Sequence, residues 1–229
     1  MDTRNNANGF TLIELMIGMV VSMMIIAAIF ASHRAQTRAN LTQQMITEMH
    51  QNARAAMFSM ERDIRSAGYD PTGNTNAAII LADDDQMDFM IDRNGDGDFT
   101  TTNPPPNNLD PNERIAYSLT MDGNLGRSTW GAAPQTVAEN IEVLDFVYLD
   151  EDGNPIGPVP LDADKIALIR SVQITLIAKS GKNVPVLMMK HTDNKTYTNQ
   201  QGDALLDNAN DNFRRIGLTG NVKCRNFGL

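Results

Sequence analysis

The longest run of apolar positions in the chain lies within its first 31 residues. From Phe10 to Ala31 the sequence reads FTLIELMIGMVVSMMIIAAIFA, and Glu14 is the only charged residue in it. A helix of about 22 residues rises by about 1.5 Å per residue, which matches a hydrocarbon core roughly 30 Å thick. This pattern predicts a transmembrane helix over residues 10–31.

A helical pattern of apolar positions continues beyond this span. Apolar residues recur at spacings of three or four, at Leu41, Met45, Met49, Ala53, Met57, Met60 and Ile64. Neither Pro nor Gly occurs from Ser32 to Ala67, whereas Gly68 and Pro71 favour a helix end. We therefore predict one helix over residues 10–67 that is amphipathic over residues 32–67. The stripe alone would also suit a coiled-coil anchor.

The remainder of the chain alternates short apolar runs with clusters of Asp, Asn, Gly and Pro, which is typical of strands joined by turns. The predicted strands are Ala77–Leu81 and Met87–Ile91 as a hairpin, Arg114–Thr120, Ile141–Leu149, Ser171–Ala178, and one or two within Phe213–Phe227. The alternation over Ser171–Ala178 predicts a half-buried strand whose apolar face receives the helix. Thr101–Asn108 and Thr192–Asn212 are predicted loops, the second with room for one helical turn.

The predicted fold class is therefore α+β, with a long N-terminal helix packed on an antiparallel β-sheet. Residues 68–229 form the predicted β-rich head. A formal net charge of −9 and a sequence pI of about 4.7, with scattered Lys and Arg, argue against a nucleic-acid partner. The single Cys224 allows no intrachain disulfide.

Catalytic constellations are hard to assemble from this sequence. His33, His50 and His191 lie far apart along the chain, and no base lies near Cys224. No glycine-rich loop of the kind that holds phosphates is present in the sequence either. We therefore expect a protein that acts by packing or binding and is not an enzyme.

The segment Asp92–Phe99 has the spacing of a calcium loop. Asp92, Asn94, Asp96 and Asp98 place side-chain oxygens at every second position, and Gly97 is sixth, as in the first half of an EF-hand loop. The twelfth position is Asn103 where an EF-hand has a bidentate Glu, so Asp110 or Asp83–Asp85 would have to complete the site. The alternative is a solvated turn, which is also how we interpret Asp150–Asn154. Calcium is the only cofactor that the sequence suggests.

Glu14 is unusual because it places a charge within the apolar span. A charge in lipid costs roughly 2.5–3.5 kcal/mol on insertion scales, unless the side chain reaches the headgroups. The string Gly9-Phe10-Thr11-Leu12-Ile13-Glu14 closely resembles the type IV prepilin motif. The resemblance implies that residues 1–9 are a leader, and that prepilin peptidase cuts between Gly9 and Phe10 and methylates the new amine. It also implies that Glu14 is the assembly carboxylate, stabilised by the Phe10 amine of a neighbouring subunit.

A second resemblance concerns the end of the helix. The stretch from Gln51 to Tyr69, which ends in Arg62-Asp63-Ile64-Arg65-Ser66-Ala67-Gly68-Tyr69, is similar to PilW-like minor pilins and to the J-type minor pseudopilins of type II secretion. Arg225-Asn226 shares this likeness more loosely. The resemblance implies the pilin fold and a minor pilin that primes or caps a type IV pilus. It also implies storage in the inner membrane, as a single-pass protein with its head outside the cytoplasm.

The partners implied by these resemblances are prepilin peptidase, other major and minor pilins, the inner-membrane assembly platform and, before assembly, membrane lipid. Three other functions stay open from the sequence. The chain could be a minor pseudopilin of a type II secretion system, which has the same N-terminal motif. It could be a calcium-dependent surface-binding module on a pilin-like stalk, or an anchored domain that never assembles.

Overall fold

The computed structural model describes residues 9–75, 78–99, 113–130, 132–181 and 192–227. Its first element is the helix α1, Leu12–Arg65, whose ends lie within two residues of those predicted. The chain divides into two compact units, Met1–Gln44 and Met45–Leu229, and α1 contributes to both. The predicted single long helix is therefore confirmed.

The helix ends where the sequence changes its backbone preference. Gly68 has a φ of +74°, a left-handed conformation that a residue with a Cβ rarely adopts. Its N–H donates to the carbonyl oxygen of Met90 at 3.0 Å. A Cβ on Gly68 would also lie only 2.7 Å from the ring of Phe227. The helix end is thus fixed by glycine for two independent reasons.

A five-stranded antiparallel sheet follows in sequence order. Its strands are β1 (Ile79–Ala82), β2 (Gln86–Met90), β3 (Arg114–Leu119), β4 (Leu125–Thr129) and β5 (Gln135–Ala138). The hairpin of β1 and β2 was predicted and is confirmed. Strands β4 and β5 were not predicted, because LGRST and QTVA contain few apolar residues. They join the sheet because β4 pairs with β3 and β5 pairs with β4.

A second antiparallel sheet has three strands in the order β10-β7-β6. They are β6 (Ile141–Leu149), β7 (Ser171–Lys179) and β10 (Arg215–Lys223). The prediction of a half-buried β7 was wrong over its second half, because Thr175 and Ile177 are buried together with Ile174 and Leu176. This strand is the centre of its sheet and is covered on both faces there.

The prediction of a loop over Thr192–Asn212 with room for one helical turn was also wrong. This segment holds a short hairpin, β8 (Tyr197–Thr198) paired with β9 (Ala204–Leu206). A one-turn helix, α2 (Ala163–Ile166), lies between β6 and β7 and was not predicted. The predicted loop Thr101–Asn108, which contains Asn103, lies outside the described residues. So do Asp110 and His191.

The second half of α1 forms one wall of the core. Its buried residues recur at helical spacing, namely Met49, Ala53, Ala56, Met57, Met60, Asp63 and Ile64. They join one cluster with residues of both larger sheets, such as Phe89, Tyr117 and Ile174. This arrangement confirms the predicted fold class, a long N-terminal helix packed on antiparallel sheets.

Candidate functional site

The first part of α1 has no core of its own. Every large apolar residue from Phe10 to Phe30 that the structure describes is roughly half or more exposed, and Phe10 is 91% exposed. By length and composition α1 could cross a membrane, a test that a signal sequence or a buried core helix can also pass. The exposed apolar surface needs lipid or other helices to cover it.

Thr11 and Glu14 cap the start of α1 through hydrogen bonds to each other. The Thr11 N–H and hydroxyl both donate to the Glu14 carboxylate at 2.9 Å, and the Glu14 N–H donates to the Thr11 hydroxyl at 3.3 Å. This reciprocal arrangement is a capping box, which satisfies backbone donors that a helix start leaves unpaired. Glu14 therefore has a structural role within the single chain.

The face of α1 that carries Glu14 also carries small residues. Gly18 and Ser22 follow Glu14 at intervals of four residues, and Phe10 precedes it by four. Apart from the neighbouring backbone of α1 itself, no described atom lies within 4 Å of the position that a Cβ on Gly18 would take. A neighbouring apolar helix could therefore approach most closely beside Glu14.

A buried polar cluster joins the end of α1 to the five-stranded sheet. Asp63 accepts hydrogen bonds from the Tyr117 hydroxyl at 2.9 Å and from Arg127 Nε at 2.8 Å, and pairs with Arg62 at 3.1 Å. Burial raises the pKa of Asp63, but the bonds from Arg127, Tyr117 and Arg62 outweigh it and lower the pKa overall. The carboxylate thus stays charged and fixes the helix to β3 and β4.

A hollow lies directly beside this cluster, and we call it the basic hollow. It encloses about 610 Å³ and is lined by Arg62, Asp63, Arg65, Ser66, Tyr69, Ile91, Arg93, Arg225 and Asn226. The Asn226 amide donates to the carbonyl oxygens of Ser66 at 3.3 Å and Ala67 at 3.1 Å. The strings around Arg62 and around Arg225, which the sequence singled out separately, therefore meet at one place.

The predicted calcium loop is held by its own carboxylates. Asp92 is buried, and its two carboxylate oxygens accept the N–H groups of Gly95 at 2.7 Å and Gly97 at 3.2 Å. Asp96 accepts the N–H of Asp98 at 3.1 Å and the Asn94 amide at 2.9 Å. Gly97 has a φ of +85°, as a tight turn at this position requires.

A buried acid also lies against this loop. Glu113 has almost no exposure and accepts the N–H groups of Arg93 at 3.0 Å and Asn94 at 3.2 Å. Sequence reasoning missed Glu113, because it lies about twenty residues from the loop and follows no calcium-loop spacing. Calcium binding at Asp92, Asn94, Asp96 and Asp98 stays a prediction.

Among the residues described, the acidic groups that come close enough to share one ion lie outside the Asp92–Asp98 loop. One oxygen from each of Asp83, Asp84 and Asp85 falls within 4.8 Å of the others, at the turn between β1 and β2. Asp84 and Asp85 are exposed there. Beside this turn Asp145 is buried, which raises its pKa, while the Asn199 amide at 3.4 Å lowers it and the charges of Asp84 and Asp203 raise it further.

The surroundings of Cys224 and the positions of His33 and His50 relate to the prediction that the protein is not an enzyme. Cys224 is buried, which raises the pKa of its thiol to about 12. A thiol of this kind stays protonated and is a poor nucleophile near neutral pH. His33 and His50 lie on α1, 17 residues apart along the chain.

Comparison with known proteins gave two family matches. Residues 4–30 match the model described as the prokaryotic N-terminal methylation motif, and residues 42–187 match the model described as prepilin peptidase-dependent protein B. No match was found among curated proteins. Among solved structures, the chain is similar to a type IV-like pilin from Thermus thermophilus at 16% identity, with a TM-score of 0.49, over 78% of this chain and 98% of that one.

Proposed function

Because this chain belongs to the prepilin peptidase-dependent protein B family, we propose that it is a minor pilin that primes or caps a type IV pilus. It is a pilin-like protein that depends on prepilin peptidase, and its fold and family indicate a structural protein. The resemblance of residues 9–14 to a prepilin motif is confirmed by the methylation-motif match. The finer likeness to PilW-like subunits stays a prediction.

The exposed apolar half of α1 is the observation that carries this proposal. A stretch of about twenty apolar residues with no protein cover suits storage in the inner membrane, where lipid covers it. The same surface suits the centre of a filament, where the helices of other pilins replace lipid. Prepilin peptidase, other pilins and an inner-membrane assembly platform are the partners that this route requires.

Processing would act on the exposed bond between Gly9 and Phe10. Both residues are exposed, and among the described residues no atom beyond the chain neighbours of Gly9 lies within 4 Å of a Cβ position there, so a protease could approach the backbone. Cleavage would create a positive amine on Phe10, four residues before Glu14. In the filament this amine of one subunit would pair with Glu14 of another subunit. Glu14 would then no longer be an isolated charge in contact with lipid.

Mass spectrometry of the N-terminal peptide tests the proposal most directly. The chain is taken from native membranes and from sheared filaments, and its intact mass is measured in both. We expect a chain that begins at N-methylated Phe10 in both fractions. A chain that keeps Met1 in both would overturn the proposal and leave an anchored domain that never assembles. A processed chain that co-purifies only with a type II secretion apparatus would make it a pseudopilin.

We also propose that the Asp92–Asp98 loop binds calcium. The specific observation in its favour is that Asp92 holds the fourth and sixth residues of the loop, Gly95 and Gly97, through their N–H groups. The loop therefore already curves around Asp92, the first of the predicted calcium ligands, in the absence of an ion. The role of the ion would be to stabilise the head.

A further inference from the structure

The basic hollow is positively charged, whereas the compact unit that contains it is acidic. From Met45 to Leu229 the sequence has 16 Lys and Arg residues against 26 Asp and Glu residues. Around the hollow, however, four exposed arginines gather within one depression of about 610 Å³: Arg62, Arg65, Arg93 and Arg225. Asp63 is the acid at its wall, and its carboxylate is already bonded to Tyr117 and Arg127.

Three of these arginines have no acidic partner among the residues that the structure describes. Arg65, Arg93 and Arg225 make no ion pair within the part of the chain that the structure describes. A guanidinium group binds carboxylates with two parallel hydrogen bonds, and several in one depression favour a partner with several carboxylates. Tyr69, which is 44% exposed, adds an apolar ring at the rim.

The same head presents a group of the opposite charge. The turn between β1 and β2 holds Asp83, Asp84 and Asp85, with one oxygen of each within 4.8 Å of the others. The turn is anchored against β6, because the Tyr148 hydroxyl donates to the Asp83 carbonyl at 2.8 Å and the Phe146 N–H donates to the Asp84 carbonyl at 2.6 Å. Repulsion among three close carboxylates is relieved by any cationic partner.

The two groups cannot meet within one chain. They lie at opposite ends of β2, because Gln86 follows the acidic turn while Ile91 and Arg93 line the hollow. Five residues of strand, at about 3.3 Å each, separate them by roughly 17 Å. A contact between them therefore needs a second molecule.

We propose that the basic hollow of one copy of this chain binds the Asp83–Asp85 turn of a second copy. The convex end of a hairpin would enter a concave site of complementary charge. Because the two surfaces differ, the contact is heterologous and leaves one hollow and one turn free for neighbouring subunits. The inference deepens the proposed function and rests on it for the place of this contact in a fibre.

Chemical cross-linking of the full-length chain in detergent micelles tests the contact. One preparation carries Tyr69→Cys at the rim of the hollow, and the other carries Gln86→Cys beside the acidic turn. The two are mixed at low ionic strength and treated with a short thiol-specific cross-linker. The native Cys224 is buried, with its pKa raised to about 12, and reacts little. We expect a dimer whose linked peptides join positions 69 and 86.

Charge reversal then separates this contact from chance collision. Arg65→Glu with Arg225→Glu should lower the yield of the linked dimer at least about tenfold. Asp84→Arg with Asp85→Arg on the other copy should restore it. Lys195→Glu, a reversal at an exposed residue outside the hollow, is the matched control and should change nothing.

Two results would overturn the inference: no link between positions 69 and 86, or a yield insensitive to the Arg65 and Arg225 reversals. The N-terminal mass of the chain from native membranes and sheared filaments keeps the two proposals distinguishable. If that chain keeps Met1 and the micelle samples still cross-link, only the proposed function is contradicted. If that chain is clipped and incorporated into filaments and the micelle samples do not cross-link, only the hollow contact is contradicted.

Discussion

Two buried aspartates show how the environment of a single residue determines its charge. Asp63 and Asp145 are both more than nine-tenths buried, and burial raises the pKa of each. Arg127, Tyr117 and Arg62 outweigh burial at Asp63, so its pKa is lowered. At Asp145 one long bond from Asn199 does not outweigh burial and the nearby charges of Asp84 and Asp203, so its pKa is raised.

Replacement of Asp63 by Asn should destabilise the head strongly at neutral pH. The change leaves the Arg127 guanidinium without its carboxylate, and removal of one partner of a buried ion pair costs about 3–5 kcal/mol. Tyr117→Phe removes one hydrogen bond to the same carboxylate and should cost only about 1 kcal/mol. Urea unfolding of both variants in detergent micelles measures the free energies. Equal small losses would show that Asp63 does not fix the helix to the sheet.

The contributions of Asp63 and Asp145 to the stability of the fold should depend on pH in opposite directions. Because the folded pKa of Asp63 is lowered, its contribution is present above the ordinary value of 3.8 and is lost as the pH falls through the folded pKa. Because the folded pKa of Asp145 is raised, its ionisation destabilises the fold as the pH rises from 3.8 through the folded pKa.

Asp145→Asn should therefore raise the melting temperature at pH 7 and have little effect near pH 3. The amide keeps an acceptor for Asn199 and removes a charge that repels Asp84 and Asp203. Thermal unfolding followed by circular dichroism at the two pH values measures this difference. A lower melting temperature at pH 7 would mean that the Asp145 charge has a cationic partner.

At the scale of the element, the Asp92–Asp98 loop is the segment whose role depends on what binds to it. Its carboxylates are occupied by N–H groups of the loop itself, which is enough to shape a turn without an ion. Replacement of Asp92 is therefore a poor test of calcium, because it would break the turn in either case. Titration of the ion on the unchanged chain avoids this problem.

Calcium at about one hundred times its dissociation constant should stabilise the head by about 2.7 kcal/mol, if the ion binds only the folded state. The melting temperature of the chain in detergent should therefore rise with added calcium and fall again with a chelator. Magnesium at the same concentration is the control, since it requires a stricter octahedral geometry. If calcium and chelator leave the melting temperature unchanged, the loop is a solvated turn.

At the scale of the whole molecule, Glu14 has two roles that a single substitution would confuse. It caps α1 within its own chain, and in the proposed filament it pairs with the Phe10 amine of a neighbour. Glu and Gln both occupy the last position of a capping box, whereas only Glu carries a charge. Gln therefore separates the two roles.

Glu14→Ala and Glu14→Gln should both leave a chain that is clipped and resident in the membrane but poorly incorporated into filaments. Loss of the charge is common to both, and Gln retains the cap, so a shared defect points to the amine pairing. Quantitative immunoblots of sheared filament and membrane fractions measure incorporation. Normal incorporation of Glu14→Gln would assign the importance of the residue to the cap alone.

The sequence by itself determined the elements whose signals are local. The long helix, its end at Gly68, the apolar span and the prepilin-like motif follow from the spacing of neighbouring residues, and the hairpin of β1 and β2 follows from short apolar runs around a turn. Strands β6 and β7 were also predicted to within one residue. These features need no knowledge of distant partners.

Only the tertiary structure decided the features that depend on residues far apart in sequence. Strands β4 and β5 exist because β3 pairs with β4 and β4 with β5. Strand β7 lies between β6 and β10, and its second half is buried on both faces. The bonds of Asp63 to Tyr117 and Arg127, and the meeting of Arg62 with Arg225, join positions more than fifty residues apart. No periodicity encodes such contacts, because they depend on how the chain packs in three dimensions.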